Sequence, residues 1–264
     1  MASRTSEKCW VCGQAAAMRC SACGEAGLDI LFCSREHQKL LWPLHRRVCG
    51  VNRAKPFVWP ALSKEEAAFG LKLLNKVGIA PSKKKDSWRK QLEAELGTDL
   101  EVWEIKKIVE ALQHEDPDCE ILEDEDIDPH AGYSAFRAAN YHFEVNLEGI
   151  YSLPWADRAY SEAMPIVDKF FPRPTPGDGV PPSAAQKAAW FPSLMHRFIC
   201  TVGLRQMMID ITDTTPNVDS LLNHLRASHT ALEELVEKEV KRTHPQVAAR
   251  FVQYLQLTSP NRIW

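Results

Sequence analysis

Eight potential metal ligands fall within 41 residues of this 264-residue chain: Cys9, Cys12, Cys20, Cys23, Cys33, His37, His45 and Cys49. Their spacing is C-x2-C-x7-C-x2-C-x9-C-x3-H-x7-H-x3-C. An x2 pair makes a tight knuckle whose two sulfurs converge on one ion. An x3 pair stands one helical turn apart, with both ligands on one face. Six of the chain's eight cysteines lie in this stretch, so the clustering points to metal rather than to disulfides. Eight Cys and His ligands suit two tetrahedral Zn2+ ions. A segment of this size is too small to fold on a hydrophobic core alone, and structural zinc can supply about 10 kcal/mol of folding free energy. With four protein ligands per ion, no coordination position is left for water. Both sites are therefore expected to be structural rather than catalytic.

The remaining spacing is specific. The two Cys-x2-Cys pairs are followed by the aromatic Phe32 and then by Cys33-x3-His37-Gln38-x3-Trp42-x2-His45-x3-Cys49. This pattern resembles a MYND zinc finger over residues 9–49, about a sixth of the chain. Gln38 and Trp42, placed between the ligands, favour that family over the eight-ligand HIT-type finger. His37 stands where many members have Cys; both ligate zinc. Spacing alone does not separate cross-braced from sequential pairing. The resemblance implies a cross-brace, with Cys9, Cys12, Cys33 and His37 on one ion and Cys20, Cys23, His45 and Cys49 on the other. It also implies a protein-interaction module whose shallow groove takes a proline-containing peptide, lined by Gln38 and Trp42. Trp offers a flat platform for a proline ring, and Gln can hydrogen-bond an extended backbone. The competing expectation is that Trp42 packs beneath the zinc lobes.

Local signals fill in the segment. Ser34 is a good N-cap for a helix over 35–41, with Glu36 in its first turn. Pro43 disfavours helix at Trp42 and suits the first position of a second short helix carrying His45 and Cys49. Leu40, Leu41 and Leu44 read as packing residues.

Beyond residue 53 the chain reads as helical. Residues 54–63 look like a linker. Ser63 caps a helix that Gly78 stops, and Ser87 opens one that Gly97 ends. Thr98 or Asp99 caps a third, with Val102, Ile105, Val109 and Leu112 as its apolar stripe. Further helices are expected over 134–148, 155–171, 184–210, 217–243 and 245–256. Residues 115–132 hold nine acids in their first fourteen positions and lack the glycine and glutamate pattern of a calcium loop, so they read as a solvated acidic loop. Residues 172–183 are rich in Pro and Gly and read as a second loop; a fold-back of this stretch into the finger groove is a minor alternative. The expected architecture is mainly α: a finger over 1–53, the linker over 54–63, and an all-helical domain over 64–264.

Several function classes lose ground. Net charge is −3, with +4 on residues 1–53 and −7 on the rest, so nucleic acid is not the expected partner. No run of eighteen apolar residues marks a membrane span, and MASRTSEK is no leader; the expected location is cytoplasm or nucleus. His196 and Cys200 are one turn apart, but their apolar neighbours point to a buried pair rather than a nucleophile. His224 and His229 are five apart and sit poorly as joint ligands. A SET methyltransferase, which can carry a MYND finger, needs a β-rich domain and a cofactor segment absent here. The leading expectation is a non-catalytic adaptor, with transcriptional or chromatin-linked regulation as one setting. The alternative is that the helical part is the working unit, as scaffold or enzyme, with the finger docking it.

Overall fold

A computed structural model describes residues 8–54, 59–74, 76, 87–115, 127–146, 153–171, 187–210 and 218–259. Most of the acidic stretch, the Pro/Gly loop, Gly78 and part of the linker lie outside these residues. The chain divides into two compact units, residues 1–58 with 182–264, and residues 59–181. This differs from the division in sequence order. The finger shares its unit with the C-terminal helices.

In the first unit, β1 (Met18–Arg19) pairs antiparallel with β2 (Leu31–Phe32), Met18 opposite Phe32 and Arg19 opposite Leu31. The short helix α1 (Ser21–Glu25) lies between them in sequence. α2 (Arg35–His45) opens on Ser34, whose hydroxyl accepts from the His37 N–H at 3.4 Å. The expected break before Pro43 does not occur; α2 runs through it as one helix. Pro43 forfeits the bond to the carbonyl of Lys39 and crowds that group, at a turn where Lys39 is exposed. His45 ends α2, while Cys49 lies beyond it. α3 (Val51–Ala54) follows.

The C-terminal part of this unit holds α9 (Phe191–Ile209), α10 (Val218–Leu235), a π-helical segment (Val236–Val240), α11 (Lys241–Thr243) and α12 (Pro245–Leu257). α9 starts later than expected, with Pro192 in its first turn where the missing N–H costs nothing. Leu225, Leu232, Val236 and Val240 are buried, so the wide π turn interrupts the helix while both valines stay in the core. Phe198 meets Phe251 and Tyr254 edge-on, with ring centroids 5.1 and 5.8 Å apart.

The second unit contains α4 (Lys64–Leu73), α5 (Trp88–Leu96), α6 (Val102–Ala111), α7 (Pro129–Asn146) and α8 (Trp155–Phe170). Gly97 ends α5 at φ 73°, a conformation that favours glycine. The α6 cap is Glu101, not Thr98 or Asp99; its N–H bonds the carboxylate of Glu104. α7 begins inside the expected acidic loop, because Asp128 accepts from the Ala131 N–H at 3.1 Å and Pro129 follows it.

A buried ion pair centres this unit. Ser63 and Glu66 form a capping box at the start of α4, with bonds of 2.8 and 3.0 Å. The same Glu66 carboxylate accepts from Arg137 Nε at 2.9 Å, and neither side chain reaches solvent. Arg137 Nη2 also donates to the carbonyl of Pro60 at 2.9 Å, and its guanidinium lies over Tyr133 and Tyr160. Trp88 Nε1 donates to Asn140, which in turn donates to the Glu66 carbonyl. α4 approaches closely because Gly70 has no side chain; a Cβ there would overlap Phe136 and Trp88.

Removing one charge strands the other. Arg137→Met is expected to cost about 3–5 kcal/mol in urea unfolding, and Glu66→Leu combined with it should recover part of the loss. Equal stability of the single variant and the parent would contradict this role.

Candidate metal centre

Two knuckles and two stretches after them build the sites. The first knuckle closes through Gly13 N–H to the Cys9 carbonyl at 3.0 Å and Cys9 N–H to the Gln14 carbonyl at 2.8 Å, with Gly13 at φ 71°. The second closes through Gly24 N–H to the Cys20 carbonyl at 2.9 Å. Strand pairing links both to Cys33: Cys20 N–H donates to the Ile30 carbonyl and Trp10 N–H to the Leu31 carbonyl. α2 then supplies His37 near its start and His45 at its end.

The ligand atoms group as Cys9, Cys12, Cys33 and His37, and as Cys20, Cys23, His45 and Cys49, all within 4.8 Å of one another in each group. This is the cross-braced pairing. In the first group, Cys12 Sγ lies 3.6 Å from Cys33 Sγ, and His37 Nδ1 lies 3.5 and 3.1 Å from the Cys9 and Cys33 sulfurs. In the second, Cys20 and Cys49 sulfurs are 3.5 Å apart, and His45 Nε2 lies 3.5 and 3.4 Å from the Cys23 and Cys20 sulfurs. A tetrahedral zinc with Zn–S near 2.3 Å has S···S edges of about 3.8 Å and S···N edges of about 3.6 Å. The edges fit. The histidines ligate through different nitrogens, Nδ1 in one site and Nε2 in the other.

Electrostatics also call for a cation. The side chains of Cys23 and His45 hydrogen-bond to Cys20 and draw its thiol down to about 3. The Cys23 thiol is pushed up by its bond to Cys20, then by burial. Burial and then Cys20 raise Cys49 to about 11. In the other group, burial and then Cys12 raise Cys33 to about 12. Crowded thiols thus compete, and one ionised sulfur opposes the next. A divalent ion among them stabilises every thiolate at once. Burial lowers the pKa of His37, favouring the neutral form that ligates.

Helices far along the chain form the next layer. The His224 ring of α10 meets the His37 ring edge-on at 4.7 Å, and Ser220 Oγ lies 3.5 Å from His224 Nε2. The His196 ring of α9 lies 6.0 Å from that of His45 and 6.3 Å from that of Trp10. Arg197 lies over the Trp10 ring at 4.6 Å. A Cβ on Gly13 would sit 3.6 Å from that of Ala227 in α10. The sequence offered no sign of this layer, since no periodicity or spacing links residues 9–49 to 196–227.

Other candidates resolve differently. Burial pushes the Cys200 thiol up to about 12 and pulls His196 down to about 3, the reverse of a thiolate–imidazolium pair. His224 faces the finger, whereas His229 lies 2.9 Å from the Leu255 carbonyl, so the two do not share a ligand. A cleft among Phe198, Thr201, Arg205, His229 and Tyr254 has about 10 Å³ of space, enough for one water.

Gln38 and Trp42 stand one turn apart on α2. Trp42 is 44% exposed and Gln38 half-buried, while Leu41 and Leu44 are buried; Leu40 is only half-buried. The Trp42 ring meets the His45 ring edge-on, with centroids 6.0 Å apart.

Residues 9–49 match the family model of the MYND finger. This segment is a zinc-binding protein-interaction module with two Cys3His sites. A search of curated proteins found no match to the chain, and a search of solved structures found none either. Among the described residues no helix is long and apolar enough to cross a membrane.

Metal analysis should return two zinc ions per chain. Chelation should abolish hydrogen-exchange protection in residues 9–49 and lower it in 191–210 and 218–235, while 88–96, 129–146 and 155–170 keep theirs. Unchanged protection in 191–210 and 218–235 would show that the helices do not depend on the ions. His224→Ala should speed zinc loss to a competing chelator by about tenfold, the lower end of effects seen for residues that orient a metal ligand.

Proposed function

We propose that this chain is a non-catalytic adaptor whose finger recruits a partner protein by a short, extended, proline-containing peptide. Gln38 and Trp42 line the groove. The observation that supports this reading is the exposure of Trp42, 44%, on a helix whose Leu41 and Leu44 are at 0% and 1%. A tryptophan that served packing would be turned with them. Burying an indole is worth about 2–3 kcal/mol, so a partner that covers Trp42 gains that much from the contact. Gln38, one turn earlier, carries both a donor and an acceptor for a peptide backbone. Zinc plays no part in chemistry here; it holds α2 in place. Such thiolate sites are maintained in a reducing compartment, which suits the cytosol or nucleus.

An array of proline-containing peptides against the zinc-loaded chain tests this. Micromolar binding is expected. Trp42→Ala should weaken it by about thirtyfold, a hot-spot loss of about 2 kcal/mol, and Gln38→Ala by about fivefold, the loss of one hydrogen bond. Both variants should keep two zinc ions. No binding to a verified two-zinc protein would end the reading.

A further inference from the structure

The exposed face of α2 carries more than Trp42. Arg35, Lys39, Trp42 and Arg46 follow one another at steps of four, three and four residues, the spacing of a single helical stripe. All four are exposed. Arg46 lies just past the last residue of α2, yet keeps helical geometry at φ −54° and ψ −26°, and its N–H bonds the Trp42 carbonyl at 2.9 Å. It therefore stays on the stripe. Gln38 borders it.

Among the described residues, none of the three cationic side chains makes a hydrogen bond or an ion pair. Several other exposed cations of the same unit do: Lys238 pairs with Glu234, Lys241 with Glu237, and Arg242 with Glu239, whereas the side chains of Lys8 and Arg250 stand without a partner among the described residues. Arg19 pairs with Asp29. The one acid in α2, Glu36, is engaged by its own turn. Its carboxylate lies in the first turn of α2 and takes hydrogen bonds from its own backbone N–H and from the Ser34 side chain.

We propose that this face reads an acidic peptide built around proline: Trp42 takes the ring, Lys39 and Arg35 take carboxylates on one side of it, and Arg46 takes one on the other. The proposal rests on the peptide reading above and adds the partner's charge. The stripe is about 16 Å long at about 1.5 Å per residue, the span of about five extended residues at about 3.3 Å each. Both flanks are then within reach of one short segment. Three cations on one helix are few for a nucleic acid, whose affinity grows with the number of phosphates neutralised.

The test is fluorescence anisotropy with the full-length, zinc-loaded protein. The probes are a labelled peptide with Asp or Glu on both sides of a central proline, its Asn/Gln counterpart, and a single-stranded oligonucleotide. Each exposed pair contributes about two- to fivefold, so the acidic peptide should bind about tenfold or more tightly than the neutral one. The preference should vanish at about 1 M salt, where the screening length falls to about 3 Å. Lys39→Glu with Arg46→Glu, at unchanged zinc content, should bring the acidic peptide down to the neutral one or below it. Equal binding of both peptides would overturn the acidic assignment and leave the proline-peptide reading standing. No binding of either by a two-zinc protein would overturn both. An oligonucleotide that binds more tightly than the acidic peptide, and loses affinity in the same double variant, would assign the face to nucleic acid instead.

Discussion

Six sulfurs and two imidazoles are drawn into two small volumes within one short segment, and the buried side chains around them, Ile30, Phe32, Leu41 and Leu44 among them, are too few to fold it alone. The sulfurs of one group sit 3.5–3.9 Å apart. At that separation, thiolates repel one another unless a cation lies between them. The ions therefore act as the finger's core. Because the ligand groups alternate along the chain, each ion also closes a loop that contains ligands of the other. Neither half is complete alone, and α2, which contributes one histidine to each ion, is fixed at both ends.

That fixing has a structural reach beyond the finger. α9 and α10 place a histidine ring beside each ligating imidazole, and Arg197 covers Trp10. The free nitrogen and the ring plane of a ligating histidine are normally set by what surrounds it. Here the surroundings come from about 150 or more residues away in the chain. Finger and C-terminal helices thus share one compact unit, while residues 59–181 form another around Glu66 and Arg137. In the first unit the organising charges are the metal sites; in the second they are a carboxylate and a guanidinium with no access to water.

Fixing α2 also decides what it shows to solvent. One side buries Leu41, Leu44 and His45. The opposite side leaves Trp42 between unpaired cations. A helix of this length would not persist alone in water, so a recognition surface built on it requires the ions beneath. On the proposed reading, zinc would contribute to binding indirectly, by holding the stripe in place.

Local chemistry was legible in the residues themselves. The eight ligands, the Ser34, Ser63 and Ser87 caps and the Gly97 stop could all be read because each depends on a few neighbouring positions. Cross-braced pairing could not be derived from spacing; it came by resemblance, and the positions of the ligand atoms bear it out. Some local signals were outweighed. Pro43 should break a helix, but His37 and His45 are both anchored to metal groups and the helix between them continues. Asp128–Pro129 is a helix start concealed in an acidic run. The tertiary structure alone decided which nitrogen of each histidine faces its ion, that Trp42 points outward, and that His196 and His224 stand behind the sites. Those features depend on packing between segments distant in sequence, which leaves no spacing or periodicity to read.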